Sequence, residues 1–101
     1  MLNNVKLKTN YNVNELSFLD KNFNTACFFV KKNWNNISMF YKLSLYSLYK
    51  QATIGNCNIK CSIFNYKKYI KMNNWNDVRG MSKRYAKIEY IKIYNLILCK
   101  K

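Results

Sequence analysis

The sequence predicts a mainly α-helical chain with two N-terminal helices, a basic extended or irregular middle segment, a short C-terminal helical part and little independent core. Three observations predict it. Apolar residues recur at three- and four-residue steps through the first half of the chain, alternate in a lysine- and tyrosine-rich middle segment, and recur less regularly near the end. With 101 residues the chain makes one small domain, 1–101.

The sequence pattern of the first half predicts an extended arm followed by two helices. Residues 1–13 are polar and predict an extended arm, and the helical part covers 14–50. In the first helix, over Asn14–Lys32, Asn14 is a plausible N-cap. Its apolar stripe consists of Leu16, Leu19, Phe23, Cys27 and Val30. In the second helix, over Asn36–Lys50, one face consists of Ile37, Tyr41, Leu45 and Leu48.

The second half, 51–101, is the basic part. Gly55 interrupts the helical pattern, and Asn56–Lys71 alternates in a way that predicts an extended, irregular segment. From Trp75 to Cys99 the period is ambiguous between helix and strand, and we favour helix. With so few apolar stripes we expect a thin core and a final shape that depends on a partner.

The charge is strongly positive and unevenly distributed. The chain has 18 Lys and Arg against 4 Asp and Glu, a net charge of +14. Residues 1–30 carry a net +1 and residues 31–101 a net +13. Such a polycation repels itself unless a polyanion neutralises it, and the common polyanions are nucleic acid and anionic membrane.

The composition excludes several classes of protein. No apolar run approaches the roughly 18–20 residues needed to cross a bilayer, so we expect no transmembrane segment. The first residues lack a basic region followed by an apolar one, so we expect no secretory signal. Histidine is absent, and no carboxylate lies beside any cysteine in the sequence. Without a nucleophile–base couple, we expect a protein that is not an enzyme.

The four cysteines do not predict a metal site. Cys27, Cys57, Cys61 and Cys99 lack the two close pairs that are typical of structural zinc. A disulfide framework would require an oxidising compartment. We expect all four to pack as small hydrophobic residues, and we expect no metal and no cofactor. A metal that Cys57 and Cys61 share with a neighbouring chain stays an open alternative.

The segment from Asn58 to Lys87 carries the strongest functional signal. It interleaves cations with aromatic rings, and nucleic acid needs both, because cations bind phosphates and rings stack on unpaired bases. Folded RNA suits this mixture better than duplex DNA. The candidate phosphate-binding residues are Lys60, Lys67, Lys68, Lys71, Arg79, Lys83 and Arg84. The candidate stacking residues are Tyr66, Tyr69 and Trp75. The alternative is a tyrosine core beneath a solvated lysine face.

Two stretches of the sequence match the order and spacing of motifs found in a known family. Leu43, Leu45 and Leu48 stand as L-S-L-Y-S-L, and Cys61 follows thirteen residues after Leu48. The run 59–68 looks like a degraded version of a basic motif, N-R-C-x-x-T-G-R-x-R, that follows a leucine-rich helix in this family.

Individual basic residues extend the match. Lys60 would stand for the second arginine of that motif, and Lys67 and Lys68 for its final basic residues. The stretch Trp75–Arg79, followed by Lys83, keeps the spacing of the family's F-x-x-x-R…R motif. On these residues the chain resembles small-subunit ribosomal protein fourteen, in the longer bacterial and organellar form that lacks zinc.

The resemblance implies a structural component of the small ribosomal subunit. Its partners would be small-subunit rRNA and neighbouring ribosomal proteins of the subunit head, with no membrane and no small-molecule substrate. The abundance of residues with AT-rich codons points to an organelle genome, so we expect a location in the mitochondrial matrix, with another AT-rich organelle as alternative. Two other functions stay open: another or lineage-specific organellar ribosomal protein, and a basic peripheral membrane or assembly subunit of an organelle complex.

Overall fold

Helices account for most of the described chain. The structure is a computed structural model that describes residues 18–60 and 64–99. Within these ranges it contains four helices and no strand. They are α1 (18–32), α2 (Met39–Thr53), α3 (Tyr66–Asp77) and α4 (Lys83–Cys99), with a short 3-10 turn, Trp34–Asn36, between α1 and α2. The prediction of a mainly α-helical chain is confirmed.

The first helix, α1, buries the predicted stripe most deeply at Phe23 and Val30, whereas Leu16 lies outside the described residues. Phe23 and Val30 are each 4% exposed, and Cys27 lies half-buried on the same face. Three- and four-residue steps place these side chains one above the other along the helix. The predicted cap Asn14 and the predicted arm over 1–13 lie outside the described residues.

The second helix, α2, is shifted toward the C-terminus from the predicted range Asn36–Lys50. It begins after Ser38, whose Oγ accepts a hydrogen bond from the backbone N–H of Tyr41 at 3.5 Å and so caps the first turn. It continues to Thr53. Gly55 follows with φ +106°, a left-handed conformation that glycine adopts without strain and that helices commonly use to end.

The middle of the chain differs most from expectation. The predicted extended segment Asn56–Lys71 was wrong in its second part, because α3 begins inside it. Met72 and Trp75 lie three residues apart on one face of α3, and both pack against Cys57 in the loop after α2. A helix buries both side chains together, whereas a strand would point them to opposite faces. Residues 61–63, part of the alternating pattern, lie outside the described residues.

The last helix, α4, confirms the helical interpretation of the final segment and is longer than the short part we expected, at 17 residues. The Ser82 Oγ accepts a hydrogen bond from the backbone N–H of Tyr85 at 3.0 Å, as an N-cap does. Ala86 and Tyr90, four residues apart, are its buried residues. No described helix has the length and apolar character needed to cross a membrane.

The described residues form two buried clusters, so the expectation of little core was wrong. The larger cluster joins α1, the following turn, α2 and α4, and consists of Phe23, Ala26, Val30, Ile37, Leu45, Leu48, Ala52, Ala86 and Tyr90. The smaller cluster, Cys57, Met72 and Trp75, packs α3 against the loop after α2. At the surface, Lys87 Nζ contacts Asp20 Oδ1 at 2.6 Å and links α4 to α1.

A polar network ties the two loops that flank α3. Gln51 on α2 is 1% exposed, and its Nε2 donates hydrogen bonds to Asn56 Oδ1 (2.9 Å) and to the backbone carbonyl of Met81 (2.7 Å). The backbone N–H of Gly80 donates to the same Asn56 oxygen at 2.7 Å. These bonds satisfy the buried Nε2 of Gln51, although not its amide oxygen, and they link the end of α2 to the loops before and after α3.

Candidate functional site

Two pockets share the side chains of Trp34 and Tyr46 as part of their lining. The first, here called the tyrosine pocket, has a volume of about 430 Å³. Its other lining residues come from α1, α2 and α4 and are Cys27, Val30, Lys31, Leu45, Tyr49 and Tyr90. The second, the aliphatic pocket, has a volume of about 320 Å³. Its other lining residues come from α2 and α3 and are Met39, Lys42, Leu43, Lys67, Ile70 and Lys71.

Helix α2 brings three residues of this region to one face. Tyr46, Tyr49 and Lys50 are spaced i, i+3 and i+4, which places them beside one another on a helix. Sequence reasoning missed all three, because it treated this helix only as an apolar element. The signal that could have found them is the pattern Y-x-x-Y-K, two aromatic rings and a cation on a single face.

Two lysines from different helices meet over the ring of Tyr46. Lys50 Nζ lies 5.8 Å from the centroid of the Tyr46 ring, and Lys71 Nζ lies 5.6 Å from the same centroid. Lys50 Nζ is also 5.8 Å from the Trp75 ring. These are cation–π distances, which hold the ammonium groups in place. Among the described residues neither lysine forms an ion pair, so both remain available to an anion.

Two ionisable groups of the tyrosine pocket, the Tyr90 phenol and the Cys27 thiol, have raised pKa values and stay uncharged at neutral pH. Burial raises the pKa of the Tyr90 phenol, and the neighbouring Cys27 and Tyr49 raise it further. Burial also raises the pKa of the Cys27 thiol, an effect that its hydrogen bond with Tyr90 opposes. No described acidic residue lines either pocket. The charge of this region is therefore positive and comes from lysines, which favours a ligand with negative charge.

The cysteines are dispersed over the described structure. Cys57 is buried, Cys27 half-buried and Cys99 exposed, so the exposed position of Cys99 differs from the expectation that all pack inside. Cys61 lies outside the described residues. Within residues 18–60 and 64–99 no group of three or more Cys, Asp or Glu side chains could hold a metal ion.

The residues that the sequence singled out for RNA do not form one surface. Lys67 and Lys71 line the aliphatic pocket, whereas Lys68 and Tyr66 are exposed on α3 and line neither of the two pockets. Trp75 is 1% exposed, and its Nε1 donates a hydrogen bond at 2.8 Å to a backbone carbonyl just after α2. In this position the indole is part of the core.

The other singled-out residues lie on the far side of α3 or at the start of α4. Lys60, Tyr69 and Arg79 line a separate cleft of about 500 Å³. The Arg79 guanidinium donates a hydrogen bond at 2.6 Å to the carbonyl of Cys57. Lys83 and Arg84 are exposed in the first turn of α4. Of the ten candidates, Lys67 and Lys71 are the ones that line the two joined pockets.

A helical fold with two adjacent pockets, and with a pair of lysines beside the Tyr46 ring that both pockets share, has the features of a binding protein for a ligand with apolar and anionic parts. Comparison with known proteins gives the family. Residues 20–94 match the family model of Acyl CoA binding protein. The chain therefore belongs to the acyl-CoA-binding protein family.

Individual relatives agree with this membership. An acyl-CoA-binding protein of Dictyostelium discoideum is 42% identical over 59 residues, which cover 57% of this chain and 70% of that protein. The crystal structure of Oryza sativa Acyl-CoA-Binding Protein 2 superposes with a TM-score of 0.80 and 34% identity, over 85% of this chain and 95% of that one. An acyl-CoA-binding domain-containing protein 6 homolog, also of Dictyostelium discoideum, is 36% identical over 83 residues, which cover 78% of this chain and 29% of that protein.

Family membership confirms one prediction and overturns others. It is a family of binding proteins, so the prediction that the chain is not an enzyme is confirmed. The ribosomal resemblance was wrong, and so were the rRNA and ribosomal-protein partners and the alternative functions. The physical reason is burial: Leu45, Leu48 and Trp75, which carried the motif match, are core residues of packed helices. The mitochondrial location stays a prediction.

Proposed function

We propose that this protein binds fatty acyl-CoA esters, with the acyl chain in the aliphatic pocket and the nucleotide in the tyrosine pocket. An acyl-CoA joins an apolar tail, through a thioester and a flexible linker, to an adenine nucleotide that carries several phosphate groups. The ligand therefore has an apolar end, a flat aromatic ring and clustered negative charge. The site has a feature that can bind each of these three parts of the ligand.

The aliphatic pocket provides the counterpart of the tail. Met39, Leu43 and Ile70 contribute apolar side chains to it, and Trp34 adds an aromatic wall. Burying a tail there removes methylene groups from water, and each buried methylene contributes about 0.8 kcal/mol. The lysine side chains at this pocket add apolar stems while they keep their ammonium groups in water.

The tyrosine pocket provides the counterpart of the adenine ring. Three phenol rings line it, those of Tyr46, Tyr49 and Tyr90. A base that stacks on an aromatic side chain gains about 1–3 kcal/mol. The phenol hydroxyls can also exchange hydrogen bonds with ring nitrogens or phosphate oxygens.

One observation carries the proposal: the ammonium groups of Lys50 and Lys71 converge on Tyr46, the ring that both pockets share. A ligand that fills both pockets must pass this point with the part that links tail and nucleotide, where its phosphates lie. Hydrogen bonds from ammonium to phosphate are charge-assisted and stronger than neutral ones. The lysine pair therefore recognises the anionic part of the ligand.

Calorimetric titration tests the proposal with three ligands: dodecanoyl-CoA below its micelle-forming concentration, free CoA, and dodecanoate. We expect dodecanoyl-CoA to bind more tightly than either fragment, because it alone occupies both pockets and the lysine pair. Equal affinity for dodecanoate would refute the role of the lysines. Equal affinity for free CoA would refute the role of the aliphatic pocket.

A further inference from the structure

We propose that Trp34 is a specificity-determining residue that sets the longest acyl chain the aliphatic pocket accepts. The inference rests on the proposed function and deepens it. It is carried by the position of the indole, which lines the aliphatic pocket and the tyrosine pocket at once. A side chain in that place is a wall between them.

A longer acyl chain in the aliphatic pocket would contact the Trp34 indole. On one side the indole borders the space lined by Leu43 and Ile70, and on the other the space lined by Cys27 and Val30. The indole is 38% exposed, so most of its surface packs against the protein and the rest is in solvent. A tail that fills the aliphatic pocket can lengthen in this direction only where the indole gives way.

The backbone that carries the indole is held on both sides. Before it, the side-chain Nδ2 of Asn33 donates a hydrogen bond to the carbonyl of Phe29 at 2.9 Å. After it, the backbone N–H of Ile37 donates to the carbonyl of Trp34 at 3.1 Å, and the Ile37 side chain is in the core at 7% exposure. These contacts restrain the turn, so the indole moves chiefly by rotation about its own side-chain bonds.

A cation further restrains that rotation. Lys42 Nζ lies 5.4 Å from the centroid of the indole, a cation–π contact made from the neighbouring helix α2. Lys42 also lines the aliphatic pocket, so the contact lies on the side that the tail occupies. The cation–π contact therefore restrains the indole on the side that an acyl chain would contact.

A wall of this kind predicts a specific dependence of affinity on chain length. While the tail still fits, each added methylene is buried and tightens binding about fourfold. Once the tail reaches the indole, further methylenes stay in water and add nothing, so affinity reaches a plateau. Removing the indole adds the volume of its two rings to the aliphatic pocket and moves the plateau to longer chains.

The test is a calorimetric series of even-numbered acyl-CoAs, from octanoyl- to eicosanoyl-CoA, on the full chain and on Trp34→Ala, Trp34→Phe and Phe28→Ala. Phe28 is an exposed aromatic residue of α1 that lines neither pocket, so its variant controls for loss of a ring. We expect the plateau to move to longer chains in Trp34→Ala, to move less in Trp34→Phe, and to stay in place in Phe28→Ala. Affinity for free CoA should stay the same in Phe28→Ala, and in the Trp34 variants it measures any loss of nucleotide binding at the tyrosine pocket, which Trp34 also lines.

The outcomes separate the inference from the function on which it rests. The proposed role of Trp34 is refuted if the plateau of Trp34→Ala lies at the wild-type chain length, or if its affinity falls by one constant factor at every length. Either result leaves the proposal of acyl-CoA binding intact. A wild-type chain that binds no acyl-CoA of any length overturns both. Thermal unfolding by circular dichroism checks each variant, and Trp34→Phe, which keeps a ring in the turn, decides the question if Trp34→Ala does not fold.

Discussion

Removing one ammonium group from above Tyr46 is the sharpest test of how the site recognises its ligand. Lys71→Met keeps most of the apolar stem and deletes the charge that lies 5.6 Å from the ring centroid. A hydrogen bond to a charged group contributes about 1.5–3 kcal/mol, so we expect the Kd for dodecanoyl-CoA to rise about 10- to 150-fold. The aliphatic pocket loses no apolar lining in this variant.

Lys50→Met should lie toward the upper end of that range. Lys50 is half-buried, and its Nζ is within 5.8 Å of two rings, those of Tyr46 and Trp75. An ammonium that is partly shielded from water interacts more strongly with a phosphate than one that is fully hydrated. Because both lysines face the same ring, the double variant should show a coupling energy on the order of 0.5–3 kcal/mol rather than simple addition.

Isothermal titration at low and high salt measures both effects. The matched control is Lys32→Met, the same substitution at an exposed lysine of α1 that lines neither pocket. We expect the control to bind like the wild type and each site variant to show a weaker salt dependence. If Lys32→Met weakens binding as much as Lys71→Met, the general positive field of the chain acts rather than the lysine pair, and the reasoning is refuted.

Two further predictions concern stability. Asn56→Ala should lower the free energy of unfolding by about 1–3 kcal/mol in urea titrations, because it takes a hydrogen-bond partner from buried Gln51, whereas Asn95→Ala at an exposed position of α4 should change little. The raised pKa of Tyr90 means that the folded state resists ionisation of this phenol. Its contribution is complete below the ordinary tyrosine pKa of about 10 and is lost as pH rises above it, so Tyr90→Phe should flatten the stability profile there, and an unchanged profile would contradict the assignment.

Part of the fold could be predicted because the information is local. The stripe through Phe23 and Val30 repeats at the helical period and therefore predicts both the helix and its buried face. The prediction for the second half of the middle segment was wrong because it, too, used only local patterns. Dense lysines and an alternating pattern obscured the pair Met72 and Trp75, whose three-residue spacing is meaningful only when α3 packs on the loop after α2.

The excess charge was visible in the sequence, but its meaning was not. A net charge of +14 predicts an anionic partner, and we interpreted its size as a demand for a polyanion. The site uses few of these charges, chiefly Lys50 and Lys71, and holds them by aromatic rings rather than by a long basic surface. A count of charges does not contain this difference, because it depends on which lysines share a pocket.

The sequence by itself determined that the chain is mainly helical, basic and free of histidine, since each of these properties is carried by single residues or by neighbours within a few positions. Only the tertiary structure decided the binding site. Trp34, Lys50, Lys71 and Tyr90 come from the turn and from three different helices, and up to 56 positions separate them along the chain. Their proximity follows from burial of the helix faces against one another, a global property that no short stretch of sequence displays.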